Sequence, residues 1–167
     1  IDFFVTTQYG FTDSANFEKG TAKFLRITDV VNKYINWNTV PFCNIVDKEI
    51  EKYKLEYGDF IISRTGANVG FGKMIGRKNP LSVFASFLVR LKSKKLEYLS
   101  YLYCLIISDT YRSFILSNAE GSAQPQANAS LLTKMDCLIP DKEILKMFNY
   151  NIKQLLDFKE LKETENF

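Results

Sequence analysis

The sequence contains no histidine among its 167 residues. This absence excludes Ser-His-Asp and Cys-His nucleophile systems, the HExxH zinc site and an imidazole general base. Carboxylate and lysine chemistry do not need histidine, so the absence argues against most hydrolases without excluding every enzyme. We therefore expect a non-catalytic protein, and we keep a small α/β enzyme that relies on carboxylates as a distant alternative.

Cysteine is also scarce, with Cys43, Cys104 and Cys137 widely spaced in apolar surroundings. Their odd number and their spacing match neither a disulfide framework nor a zinc site. Such cysteines usually act as small buried hydrophobic residues in a reducing compartment. We therefore expect a cytoplasmic protein with no metal site.

Long apolar runs are missing as well. The longest, residues 83–89 and 102–107, are far too short to cross a bilayer. The first residues lack the charged and then apolar pattern of a secretion signal, so we expect no export and no membrane contact. Ile1 in place of a starting Met indicates a piece of a longer protein.

The net charge is only +3, but the basic residues are unevenly distributed. Residues 60–96 carry eight basic side chains and no acidic one. Such a segment suits a polyanionic partner, because each phosphate that it neutralises releases condensed counterions. A solvated charged face would explain the same pattern, and charge alone does not separate the two interpretations.

The order of the predicted elements indicates an α+β fold in a single globular domain. Residues 59–63 are a short apolar run between glycines, and residues 82–91 are apolar and β-branched, so both predict strands. Residues 96–118 carry apolar residues at helical spacing, and residues 121–128, GSAQPQAN, form a polar loop. We expect one mixed, twisted sheet with few helices in residues 1–140.

Residues 141–167 predict a final helix after Pro140, with Asp141 as its N-terminal cap. Its apolar residues repeat at intervals of three and four, which is typical of pairing with another helix. Packing onto its own domain is the alternative. The stripe predicted to pair consists of Leu145, Phe148, Ile152 and Leu155.

Two motifs for other functions fail on spacing. Residues 66–73, GANVGFGK, place five residues between Gly66 and Gly72, whereas a phosphate-binding loop needs four and a following Ser or Thr. The glycines there more simply predict tight turns. The string NPLS at residues 79–82 does not match the Asn/Asp-Pro-Pro-aromatic segment of a DNA base methyltransferase. We therefore expect recognition without modification.

Several segments in order resemble the target-recognition domain of type I restriction–modification specificity subunits. The central run KYKLEYGDFIISRTGANVGFGKMIG is similar to the core of that family, with Gly-Asp, three apolar residues, and then Arg and two spaced glycines. The upstream run QYGFTDSA…FLRITDV…INWNTVPFC resembles the opening of the domain. Downstream, LEYLSYLYCLIISDTYRSFI resembles its middle helix. The run GSAQPQANASLLTKMDCLIP resembles its polar loop and the strand that leads to a helical spacer.

The resemblance covers essentially the whole chain and implies a specificity function. It implies that each domain reads half of a bipartite site in double-stranded DNA, and that the helices dock methyltransferase and restriction subunits. The chain would have no cofactor of its own, since S-adenosylmethionine would be on the methyltransferase subunit. With one recognition domain and one partial spacer, the chain resembles an excised half, or a half-subunit that dimerises through its last helix. The recognition domain of a fused restriction–methylation enzyme is a further alternative.

The site residues are predicted by residue type, with cations for phosphates and hydrogen-bonding side chains for base edges. The predicted phosphate contacts are Lys73, Arg77 and Lys78. The predicted base-edge contacts are Gln8, Tyr9, Thr12, Asn36, Asn38, Arg64, Thr65, Asn68, Ser122, Gln124, Gln126 and Asn128. Arg64 could instead form an internal salt bridge with Asp59, and Tyr9 could be a partly buried aromatic. A protein–protein adaptor without DNA binding is the main rival function.

Overall fold

The computed structural model describes residues 1–121 and 124–165, which contain seven β-strands and six α-helices. The strands are β1 Val5–Tyr9, β2 Ala22–Leu25, β3 Phe42–Cys43, β4 Phe60–Ser63, β5 Gly72–Met74, β6 Ser82–Phe84 and β7 Leu88–Ser93. The helices are α1 Ile27–Val30, α2 Asp47–Tyr53, α3 Leu99–Ile106, α4 Asp109–Asn118, α5 Ala129–Lys134 and α6 Lys142–Glu165. The expected α+β fold is confirmed.

The strands form two sheets where the sequence indicated one. The larger sheet has the order β1-β7-β4-β5 and is antiparallel throughout. The smaller has the order β3-β2-β6 and is mixed, because β2 and β6 run parallel. The predicted strand at residues 59–63 is β4, whose four residues are all buried. Phe60 and Ile62 pack with the helices, whereas Ile61 packs with the smaller sheet.

The strand predicted over residues 82–91 is two strands, β6 and β7, which belong to different sheets. A tight turn separates them, closed by the hydrogen bond from Leu88 N to Ala85 O at 2.9 Å. The end of β1 crosses close to this turn at Gly10. A Cβ atom on Gly10 would lie 2.2 Å from Ala85 O, so only glycine fits this approach. The apolar pattern could not show the break, because both strands are buried.

The helix predicted over residues 96–118 is interrupted. The first half, α3, ends at Ile106, and Ser108 caps α4, since its Oγ accepts from Tyr111 N at 3.1 Å. The apolar segment after residue 128, expected to lead into a strand, instead begins as helix α5. Asn128 Oδ1 caps this helix by accepting from Leu131 N at 2.8 Å. In both places a side-chain cap decided the structure.

Helix α6 begins where the sequence predicted, with Asp141 Oδ1 accepting from Glu143 N at 2.9 Å. One face of this helix packs onto its own domain. Leu145 is buried, and the Phe148 ring lies 6.5 Å from the Tyr101 ring in α3. Farther along, Lys159 Nζ donates to the Tyr103 hydroxyl at 2.7 Å.

The rest of α6 carries a second apolar face that points to solvent. The residues of this face are each at least 60% exposed: Ile144, Met147, Tyr150, Leu155, Phe158 and Leu161. Leu155, which the sequence placed with Leu145, therefore belongs to the exposed face. Across the described ranges, no helix combines the length and the apolar character needed to cross a membrane.

Candidate nucleic-acid interface

Several predicted site residues meet at one end of the larger sheet. Strand β1 ends at Tyr9, and Arg64 directly follows β4. The guanidinium carbon of Arg64 lies 5.1 Å from the centroid of the Tyr9 ring, which is within cation–π range. The Tyr9 hydroxyl in turn accepts from Ala129 N at 3.0 Å. This contact joins β1 to the start of α5.

Residues 124–128, the described end of the predicted polar loop, pack against the connection between β4 and β5. Two backbone hydrogen bonds of 2.8 Å hold them there, one from Gly66 N to Pro125 O and one from Ala127 N to Arg64 O. They form a bridge between Thr65 and Gln126. Gly66 and Gly70 have φ values of +72° and +78°, so the predicted tight turns are present. Residues that are 60 positions apart in the chain thereby share one rim.

A polar groove of about 260 Å³ opens along this rim. It is lined by Arg64, Asn118, Glu120, Gln126, Asn128, Ser130, Leu131 and Lys134. Gln126 is exposed, as is Gln124. The Nε atom of Arg64 is buried and has no hydrogen-bond partner within residues 1–121 and 124–165. The groove therefore offers hydrogen-bond donors and hydrogen-bond acceptors in a small space.

Gln8 lies elsewhere, on the opposite side of β1 from the rim contacts. Its Oε1 accepts from Arg90 Nη2, and its Nε2 donates to Lys52 O at 3.0 Å. Arg90 also pairs with Asp59 at 3.3 Å, so Asp59 is bonded to Arg90 and the alternative pairing with Arg64 is not formed. Burial raises the pKa of Asp59, although the Arg90 charge acts in the opposite direction. Gln8 is therefore part of an internal network.

Asn36 and Asn38 lie together in the loop between α1 and β3. Asn36 Oδ1 accepts from Asn38 N at 3.0 Å, and Asn38 is exposed. Lys73 reaches the preceding part of the same loop, where Nζ donates to the carbonyls of Asn32 and Lys33. These contacts tie β5 to the loop, and the phosphate role of Lys73 stays a prediction.

The predicted cations differ in their surroundings. Arg77 stacks on the Tyr57 ring at 4.1 Å and lies 3.7 Å from Asp157 in α6, so it links the domain to the final helix. Lys78 is exposed, as is Thr12. Asn68 is half-buried in the short turn Gly66–Asn68. Ser122 lies outside the described residues.

The sequence did not single out Phe87, which the structure places at the same end of the sheet. Phe87 is 58% exposed, and its carbonyl accepts from Arg64 N at 3.1 Å. In the sequence it looked like an interior residue of one continuous strand. Only the turn between β6 and β7 brings it to the surface.

Neither the family models nor the curated proteins include a match to this chain. Solved structures do match. One is the crystal structure of the type I restriction–modification system S subunit from M. genitalium, with a TM-score of 0.57 and 14% identity. A second comes from a structural study of complex assembly and conformational transition of the type I R-M system, with a TM-score of 0.55 and 17% identity.

These matches establish the fold. They cover 98% and 99% of this chain, but only 39% and 40% of the matched chains. The chain thus spans about two fifths of the length of the chains that it resembles. The expected resemblance to specificity subunits is confirmed at the level of the fold.

Proposed function

We propose that the chain reads one half of a DNA target for a type I restriction–modification complex. The observation that carries this proposal is the convergence of Tyr9, Arg64, Thr65 and Gln126 on one rim. Hydrogen-bonding side chains from three distant segments are gathered there around a groove rather than buried in a core. The likeness to an S subunit in fold supports the same function.

Arg64 is the best candidate to read a base directly. Its guanidinium lies within cation–π range of the Tyr9 ring, and arginine can donate two parallel hydrogen bonds to O6 and N7 of guanine. Gln126 is exposed at the bridge to Thr65, and its side-chain amide can form two hydrogen bonds with adenine. Asn128 is less free, because its Oδ1 is already bonded to Leu131 N.

The phosphate contacts follow from exposure. Lys78 is exposed and belongs to the acid-free segment 60–96, so it is the clearest phosphate contact of the three predicted cations. Arg77 and Lys73 have intramolecular partners, and these contacts would be lost if either side chain bound a phosphate. The salt dependence of binding would therefore come mainly from exposed lysines.

The exposed apolar face of α6 supports pairing with a second helix. It presents Met147, Tyr150, Leu155, Phe158 and Leu161, whereas Leu145 is already buried in the domain. We propose that this face pairs with a second recognition domain or a second copy, and that methyltransferase and restriction subunits join the assembly. The chain would act in the cytoplasm without catalysis, and S-adenosylmethionine would be bound by the methyltransferase subunit.

The function is tested by the binding of the full chain to mixed-sequence duplex DNA at several salt concentrations. Each phosphate contact should contribute about 0.9 to the slope of log K against log salt. Lys78→Ala should lower that slope by the contribution of about one phosphate contact, and it should weaken the binding of all sequences equally. Binding that does not depend on salt would contradict the proposal and favour the adaptor function.

Sequence selectivity is tested separately, in the complex with methyltransferase subunits. Replacing Gln124 and Gln126 by Ala should cost about 1–3 kcal/mol for each base contact that is lost. Lys78→Ala is the matched control, because it should weaken binding without changing the preferred sequence. An unchanged preference in the double glutamine variant would exclude this loop as a reader.

A further inference from the structure

Phe87 is a large apolar residue that is exposed to solvent in a hydrogen-bonded turn. Its neighbours Phe84 and Leu88 are fully buried, one in each sheet. The turn is closed by the bond from Leu88 N to Ala85 O, and it is tied to β2 by the bond from Ala85 N to Leu25 O at 2.9 Å. The backbone of Phe87 is therefore fixed, while 58% of its surface faces solvent.

The neighbours of this turn are the groups that the proposed function uses. Arg64 N donates to Phe87 O, and Gly10 N, directly after Tyr9, donates to Leu88 O at 3.2 Å. Since Ser63 pairs with Leu88 in the register of β4 and β7, the bond from Arg64 N places Phe87 opposite Arg64 at the end of the larger sheet. A partner that fits must offer apolar surface and hydrogen-bonding atoms within a few ångströms of each other.

The thymine edge in the major groove has this combination. It presents the O4 acceptor next to the C5-methyl group, and phenylalanine is among the side chains that contact that methyl. We propose that Phe87 is a specificity-determining residue that packs on the C5-methyl group of a thymine in the target. This inference rests on the proposed function and names one element of the sequence that is read.

The test replaces thymine by deoxyuridine, which removes only the methyl group. A preferred duplex is first selected from a random pool by the full chain, and each thymine in it is then replaced in turn. At one position the unmodified protein should bind deoxyuridine about fourfold more weakly, which is the factor for burying one methyl group. Phe87→Ala should bind both duplexes equally, and Phe87→Leu should keep part of the preference.

Phe3→Ala is the matched control. Phe3 is also 58% exposed, but it precedes β1 and so lies at the opposite end of the larger sheet. Its replacement should leave the fourfold preference intact. Thermal unfolding of the Phe87 and Phe3 variants at unchanged temperatures would show that the variants are folded.

The outcomes separate the two proposals. If no duplex is preferred and binding does not depend on salt, the proposed function itself fails. If a preferred duplex exists, the thymine contact is overturned by insensitivity to every deoxyuridine replacement, by a Phe87→Ala protein that keeps the preference, or by a site without thymine. It is also overturned if the Phe87→Ala variant binds DNA as the unmodified protein does but no longer binds a partner protein subunit.

Discussion

The guanidinium of Arg64 lies over the ring of Tyr9, and the Tyr9 hydroxyl accepts a hydrogen bond from the first residue of α5. One side chain therefore connects three segments that are far apart in the sequence. The backbone carbonyl of Arg64 also accepts a hydrogen bond from Ala127 N at 2.8 Å. A small change at this contact should alter what the whole rim can bind.

Arg64→Lys should reduce sequence selectivity while it leaves the salt dependence of binding unchanged. Lysine keeps the positive charge but lacks the planar fork that bonds guanine at two atoms. We expect a loss of about 1–3 kcal/mol for the preferred duplex and little change for a scrambled one. Titrations of both duplexes over a salt series measure the two effects. Equal losses on the two duplexes would assign Arg64 to phosphate.

Leu145→Ala and Leu155→Ala should act on different properties, although both leucines belong to α6. Leu145 is buried, so its truncation should lower the free energy of unfolding by about 2–5 kcal/mol. Leu155 is 63% exposed and should affect stability little, but it should weaken self-association or assembly with a second domain. Denaturant unfolding and analytical ultracentrifugation distinguish them. A stable assembly of the Leu155 variant would exclude that face from pairing.

Tyr111→Phe should destabilise the domain because it removes one buried hydrogen bond. The Tyr111 hydroxyl donates to Leu132 O at 2.8 Å between α4 and α5, and burial raises the pKa of this tyrosine. Without the hydroxyl, a buried carbonyl loses its donor, at a cost of about 1–3 kcal/mol. Tyr150→Phe, at a 72% exposed position, is the control and should be neutral in urea unfolding. Equal stability of the two variants would contradict this account.

Cys43 should be unreactive in the folded protein. Burial, with a smaller effect from Asp13, raises the pKa of its thiol from 9.0 to about 11. A higher pKa means less thiolate at a given pH, so at pH 8 the reactive fraction falls roughly 100-fold, and reactivity should rise as the pH approaches 11. Site-resolved alkylation, compared with the unfolded chain, measures this. Alkylation of Cys43 at the same rate in both states would show that the site opens readily.

The sequence predicted well wherever a local signal was sufficient. The apolar run between two glycines is β4, and Asp141 begins α6, because strand burial and helix capping depend on neighbours within a few residues. In the polar segment 121–128, the described residues 121 and 124–128 belong to no helix or strand, as predicted. The sequence was misleading at residues 82–91, where two buried strands follow one another with no polar residue at the break except Ser86.

The candidate site was predicted by residue type but not by position. Arg64, Thr65, Gln126 and Tyr9 share a rim because backbone bonds join chain segments about 60 residues apart, and no local pattern encodes such a pairing. Gln8 and Arg77 have residue types that suit DNA, yet the structure gives them intramolecular partners. The intramolecular contacts distinguish these residues from the others, and such contacts are a property of the folded chain.

The sequence by itself determined the α+β composition, the lack of histidine chemistry, the basic segment and the apolar character of the last helix. These properties follow from residue identity and from periodicities of two and 3.6 residues. The tertiary structure decided which polar residues meet at the sheet end and which face of α6 stays open, and it brought Phe87 to the surface. Those outcomes depend on long-range packing, since a side chain is buried or exposed only relative to elements far away in the chain.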